Sequence, residues 1–299
     1  MTVVEKKAPR NPIVHHTAGG TPYLQEPGVA LIAQPAFHPM QVNSFVNSFD
    51  DVFDAADYEN DFYAARSSAQ GPDELNQEDG TLLMKFAGQL CYLSFGENRT
   101  KNDDAGVKKY FDNIRSSGHG SVLEHANYSF LVWGIDRACS HEVVRHRAGF
   151  AYSQLSQRFV DGKTLRFVER QEYQDDPTLH SQFCEWIETC ERTYNWRAEQ
   201  LRRVINTEGM SKTDARKKVN SAARNCLPNE TETAMVVTAN VRAWRHFTEM
   251  RASQHADSPI RTLAMRIYQV LFETAPALFD DYERGTAGPD GIKTSWRKA

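Results

Sequence analysis

Between Phe183 and Ile205 the chain carries Phe183, Ile187, Cys190, Tyr194, Leu201 and Ile205 at helical spacing, with no proline or glycine to interrupt them. Apolar residues every three or four positions form one stripe along a helix. The pattern predicts a long amphipathic helix, and such a stripe must be buried against other elements. Similar signals supply those elements. Asp79-Gly80 precedes a helical stretch, Thr81 to Tyr92. Val107, Tyr110, Phe111 and Ile114 mark a helix closed by Gly118. Asp136 can cap a helix through Val143, Val144 and Arg145, and Asn240 one through Met250. Another follows Ser211 and must end before Pro228. Ser258-Pro259 opens the last, with Ile260, Leu263, Ile267 and Leu271 on its buried face. Tyr128 to Trp133, Thr164 to Val168 and Thr233 to Thr238 read as strands. Helices dominate over a few separated strands and no repeat is visible, so the expected class is α+β.

Residues 1–75 differ from the rest. They hold seven of the twelve prolines and the Gly19-Gly20 pair. Phe45, Val46, Phe49, Val52, Phe53, Tyr58 and Phe62 recur at near-helical spacing. The expected organisation is a loop-rich N-terminal extension with short helices over 1–75, a regular domain over 76–285 and a loose tail over 286–299.

Composition removes several function classes. At 40% hydrophobic and 25% charged, the 299 residues are too apolar for a disordered chain and too charged for a membrane protein. No apolar run nears the roughly 18 residues that span a bilayer. MTVVEKKAPR lacks an apolar signal core. The five cysteines form no CxxC pair, which suits a reducing compartment and a cytoplasmic protein. A net charge of −4 argues against coating nucleic acid, which needs a basic excess.

The densest polar constellation is Arg145-His146-Arg147 followed by Ser153, Ser156 and Arg158, interleaved with Phe150 and Tyr152. Arginine suits bidentate phosphate binding, hydroxyls and loop N–H groups complete such a site, and aromatic neighbours can stack on a base. Arg224, Arg242 and Arg251 add cations near expected helix ends. A solvated basic patch is the competing reading of the residues alone.

Arg145-His146-Arg147 with Tyr152-Ser153-Gln154-Leu155-Ser156-Gln157-Arg158 resembles the signature of flavin-dependent thymidylate synthases, the ThyX type. Gly118-His119-Gly120-Ser121 with Glu124-His125, Arg224 to Pro228, and Asn240 to Arg251 continuing through His255-Ala256-Asp257 resemble further family segments in the same order. Four ordered segments across about 80–275 are far more specific than one RHR. The resemblance implies a ThyX-like fold, with a central mainly antiparallel sheet, long helices and a homotetramer. It implies C5-methylation of a uridine monophosphate, with carbon from 5,10-methylenetetrahydrofolate and hydride from FAD reduced by NADPH.

Residue by residue, it places Arg251 on the pyrimidine and His119 near flavin and folate. It places Ser121, Arg145, His146, Arg147, Gln154, Asn240, Arg242 and His246 on FAD. Glu142, Arg145, Ser156, Gln157, Arg158, Arg224 and Arg251 fall on the nucleotide. The chemistry is coherent. A permanently charged guanidinium near N3 and O4 stabilises negative charge on the ring without a cysteine nucleophile. The Pro-Cys-His motif of classical thymidylate synthases is absent, and Cys226 in Asn-Cys-Leu-Pro reads as a small buried apolar residue.

The chain also departs from the family pattern. Eight residues, not seven, separate Arg147 from Ser156, the extra one falling in Ala148-Gly149-Phe150. An insertion can shift backbone donors by up to about 3.5 Å unless it bulges out. A related branch methylates UMP, so dUMP and UMP both stand as candidate substrates. Two further readings compete: a metal-dependent hydrolase built from His119, His125, His141 and His146, and a nucleic-acid-binding module using the Arg-rich loop. The histidine spacings of six and five do not match the i,i+4 pair of helical metal sites, and no metal site is expected. No nucleic-acid module is recognisable, and neither a nucleic-acid nor a membrane partner is expected.

Overall fold

The computed structural model describes residues 11–67, 79–160, 165–288 and 291–294. In chain order the elements begin β1 (Val14–His16), β2 (Pro22–Leu24), β3 (Gly28–Ala33), α1 (Pro39–Asn47), α2 (Ala55–Ser67), α3 (Asp79–Leu90) and α4 (Asp104–Ser116). A 3-10 turn (Gly120–Glu124) leads to β4 (Asn127–Asp136), α5 (Arg137–Val143), β5 (Phe150–Gln154), β6 (Phe167–Val168), α6 (Gln171–Gln174), α7 (Pro177–Val204) and α8 (Lys212–Ala223). A second 3-10 turn (Arg224–Cys226) precedes β7 (Glu232–Asn240), α9 (Val241–Arg251), α10 (Ser258–Thr274), α11 (Pro276–Phe279), β8 (Tyr282–Gly288) and β9 (Gly291–Thr294).

The central sheet has the order β3-β4-β7-β5, with every pairing antiparallel. Side chains alternate along a strand, so Tyr128, Phe130 and Val132 of β4 and Met235, Val237 and Ala239 of β7 enter the core. Against them pack Trp244 and Phe247 of α9, Ile260, Leu263, Ile267 and Leu271 of α10, and Val107 and Phe111 of α4. Trp244 is fully buried, donates from its indole N–H to the Tyr128 carbonyl at 3.1 Å, and meets Phe130 edge-on. The fold is thus α+β with a mainly antiparallel sheet and long helices.

The capping residues act through defined bonds. Asp136 accepts from the Cys139 N–H at 2.6 Å, Asn240 from the Ala243 N–H at 2.8 Å, and Ser211 from the Asp214 N–H at 3.1 Å. Gly118 ends α4 at φ +71°. The long helix starts earlier than its apolar stripe, at Pro177, where Asp176 accepts from the Thr178 and Leu179 N–H groups.

Several elements differ from the sequence reading. Three strands stand within 11–33: β3 pairs with β4 in the central sheet, while β1 and β2 form a second sheet with β6. Strands of three to six residues are too short to show a period. Helices α1 and α2 pack on α3 through Phe37, Val46, Tyr58, Phe62, Leu82 and Phe95. Of the stretch expected to be a loose tail, 286–288 and 291–294 lie in the antiparallel hairpin β8–β9, and 289–290 and 295–299 lie outside the described residues. Of the strand expected from Thr164, only Phe167 and Val168 form β6, and residues 161–164 lie outside the described residues.

Candidate active site

Two chain reversals build the site. Helix α5 unwinds into Arg145-His146-Arg147, which β5 follows at the sheet edge, and β7 runs straight into α9. A turn joins the RHR segment to β5: the Phe150 N–H donates to the Arg147 carbonyl at 3.3 Å, with Gly149 at φ +77°. A Cβ on Gly149 would lie 2.9 Å from the Ala243 Cβ and 3.0 Å from Asn240 Nδ2, so the position demands glycine twice over. The residue added relative to the family spacing is taken up in this turn. Beyond it, β5 pairs with β7 without a break from Phe150–Ala239 to Gln154–Met235.

Tyr152 secures the RHR segment from below. Its hydroxyl lies within hydrogen-bonding reach of the His146 carbonyl and, at 2.9 Å, of the Val143 carbonyl. Phe150 stacks on Tyr152 and meets Trp244 edge-on. The aromatics interleaved with the arginines therefore buttress the turn.

His146 is where the two reversals meet. Its ring packs against Phe247 and lies near His246, with centroids 5.0 and 5.9 Å away. Burial, aided by the charge of Arg251 and the neighbouring His246, pulls it down to about 4. The ring is therefore neutral at pH 7, and its Nε2 accepts from Arg251 Nε at 2.8 Å. Arg251 Nη1 donates to Glu142 Oε2, also at 2.8 Å. Nη2 of Arg251 is left without a partner among the described residues. A cavity of about 380 Å³ opens there, lined by Arg145, His146, Arg147, Phe150, His246 and Arg251 among others. Arg145 and Arg147 are exposed and have no ion-pair partner among the described residues.

The other predicted residues fall into three groups. Arg242, one turn before His246 on α9, pairs with Glu124 at 2.6 Å. That tie links α9 to the 3-10 turn where His119 and Ser121 help line a second cavity of about 430 Å³ with Tyr92 and Tyr110. Gln154 donates to Ser140 Oγ and Thr233 Oγ1 at 3.1 and 3.2 Å, and Asn240 caps α9 through its Oδ1. Ser156, Gln157 and Arg158 form a loop after β5, and Asn220 of α8 donates to the Arg158 and Val160 carbonyls at 3.4 and 3.1 Å. Gln157 keeps its buried Nε2 without a partner among the described residues.

Arg224 begins the second 3-10 turn and lies close to Arg137, whose proton affinity is lowered by burial and by the Arg224 guanidinium. Both arginines are partly buried. Arg137 escaped the sequence reading because nothing local to it signals a site; only the fold brings it to Arg224. Histidines 119, 125, 141 and 146 do not form a metal-binding group among the described residues.

Comparison with known proteins gives relatives in sequence and in fold. The family model described as "Thymidylate synthase complementing protein" matches residues 75–277. The chain is similar to a flavin-dependent thymidylate synthase of Mycobacterium avium (strain 104), 43% identical over 225 residues, covering 75% of this chain and 88% of the relative. The enzyme of that name from Mycobacterium tuberculosis (strain ATCC 25618 / H37Rv) is 43% identical over 228 residues, with the same coverage. Among solved structures, the UMP/dUMP methylase PolB from Streptomyces cacaoi, bound with 5-Br dUMP, superposes with a TM-score of 0.53. It covers 86% of this chain and 94% of its own at 16% identity, a likeness of fold.

Proposed function

The chain belongs to the flavin-dependent thymidylate synthases, and on that footing we propose that it methylates C5 of dUMP, using 5,10-methylenetetrahydrofolate as carbon donor and FAD reduced by NADPH. The observation that carries the reading is Arg251, held by neutral His146 and by Glu142 with one amino group turned to a cavity.

Nη2 of Arg251 would donate to the uracil carbonyl that gathers charge as C5 becomes nucleophilic. A donor fixed before the reaction stabilises that charge without reorganising. Neutral His146 serves this better than an imidazolium, because it accepts from Arg251 and does not repel it. No thiol is required: Cys226 packs beside α8 and its Sγ meets the Ala223 carbonyl at 3.2 Å.

The residues fit a flavin dinucleotide. Arg145, Arg147 and His246 share the cavity with Arg251, and its volume matches one ring-sized part of such a ligand. The bound flavin supplies the hydride. Arg145, His146, Arg147, Asn240, Arg242 and His246 would hold it, with Ser121 and Gln154 completing the site. The Arg242–Glu124 pair is about half exposed on both sides, so exchanging Glu124 for a phosphate costs little. Arg137, Arg224, Arg158, Ser156 and Gln157 would bind the nucleotide phosphate and sugar, and His119 would stand at the folate side. A homotetramer would bring the His119–Ser121 cavity of one subunit to the RHR cavity of another. Five free thiols suit a reducing compartment, and the reaction is proposed to run in the cytoplasm.

The test is product formation by purified protein with FAD, NADPH and methylenetetrahydrofolate, comparing dUMP with UMP. Turnover of dUMP is expected. Bound flavin without methylation of either nucleotide would overturn the reading.

A further inference from the structure

Away from these cavities, where α7 passes the end of β6, three side chains stand in series. Glu169 is buried, and its Oε1 lies 2.6 Å from Nδ1 of His180. Its Oε2 accepts from Gln25 Nε2 at 3.0 Å, so the carboxylate is held from both sides. With Nδ1–H directed at the carboxylate, His180 presents the Nε2 lone pair outward. Cys184 stands one turn further along α7, and its Sγ is 3.7 Å from that Nε2. Tyr23 and Phe183 pack behind the imidazole. None of these residues has a part in the proposed methylation.

We propose that Glu169, His180 and Cys184 form a separate reactive thiol site, in which an imidazole oriented by a buried carboxylate activates Cys184 for exchange with low-molecular-weight disulfides. The arrangement is that of an activated nucleophile: thiol, base within reach, and a third group that fixes the base. Both His180 and Cys184 are reachable, being only partly buried. Burial and the carboxylates of Glu169 and Glu188 push the Cys184 thiol up, so the resting sulfur is a thiol. In the reaction the thiol proton passes to His180 Nε2 while Sγ attacks one sulfur of the disulfide. An Sγ–S bond forms, the reagent's S–S bond breaks, and the departing thiolate takes the proton from His180. Cys184 is oxidised to a mixed disulfide, and half of the reagent is reduced to a thiol. Glu169 offsets the charge on the transient imidazolium.

Dithiodipyridine is a suitable probe, because thiopyridone release gives the rate and mass mapping gives the site. One fast-reacting thiol at pH 7 should map to Cys184 and exceed the rate at Cys91, which is exposed and whose Sγ meets the Ala87 carbonyl at 3.6 Å. The fast phase should vanish in Cys184→Ala. His180→Gln should slow it about 100-fold, the lower end of what a positioned base contributes. Glu169→Gln should slow it less and displace its pH profile. A Cys184 rate in the wild-type protein at or below that of Cys91 overturns the proposal without any variant. So does an unchanged rate in a folded His180→Gln protein.

Discussion

The neutrality of His146 makes the stability of the protein pH-dependent in a way that can be isolated. In the folded chain the ring is held at about 4, against an ordinary 6.5, by burial and by Arg251 and His246. The unfolded chain therefore binds a proton in that interval which the folded chain refuses. The stabilising contribution is fully present above the unfolded value and is lost as the pH falls through the folded one. At 1.36 kcal/mol per unit the gap corresponds to about 3 kcal/mol. The ring is only half-buried, and solvent screening reduces this to about 1–2 kcal/mol. His146→Gln keeps an acceptor near the place of Nε2 and removes the titration. Urea unfolding of both proteins at about pH 7 and about pH 4.5 should show the wild type losing about 1–2 kcal/mol more than the variant. The comparison cancels every carboxylate and histidine the two share. Equal losses would mean that His146 titrates normally, and Arg251 would then not be held by a neutral acceptor.

Four further outcomes are expected. Arg251→Ala should lower the methylation rate about 10²- to 10³-fold, as loss of a charge-stabilising donor does, while flavin absorbance of the purified protein is retained. Gly149→Ala must adopt φ +77° against Ala243 and Asn240, and should cost about 2 kcal/mol, seen as a lower melting temperature. Asp281→Ala strips the buried Arg245 guanidinium of two bonds at 2.8 and 2.6 Å, and should cost about 3 kcal/mol or more in denaturant unfolding. Cys226→Ala should keep methylation activity in the same assay, and complete loss in a folded protein would point to a thiolate mechanism.

What was legible in the sequence had a local cause. Asp136, Ser211 and Asn240 cap helices within three residues of themselves, and the α7 stripe is a one-dimensional pattern. Strand β5 is absent from the expected strands because Phe150 and Tyr152 alternate with Ala151 and Ser153 on an edge strand, which leaves no apolar run. The site itself is not local. Arg251 meets His146 across 105 residues of chain, and Arg137 meets Arg224 only through the fold. The cluster of cations singled out His146 and Arg251, resemblance gave them roles, and Arg137 had no signal of either kind.

The residue inserted after Arg147 bears on the choice between dUMP and UMP. An insertion alters a binding loop only if its displacement is passed along the backbone. Here the Arg147–Phe150 turn absorbs it, with Gly149 at a positive φ that other residues adopt only at a cost. Strand β5 then runs in unbroken register with β7, and Gln154 is fixed to Ser140 and Thr233 at its end. The Leu155 N–H donates to the Ala234 carbonyl at 2.8 Å, and Asn220 holds the carbonyls of Arg158 and Val160. Ser156–Arg158 is thus anchored on both sides by bonds that lie beyond the insertion. On the proposed function, a turn that passes no displacement to Ser156–Arg158 would leave the sugar pocket unaltered and would favour the deoxyribonucleotide. Selectivity would then reside in the anchored loop, and the unpartnered Nε2 of Gln157 is the polar atom there with most to gain from a ligand.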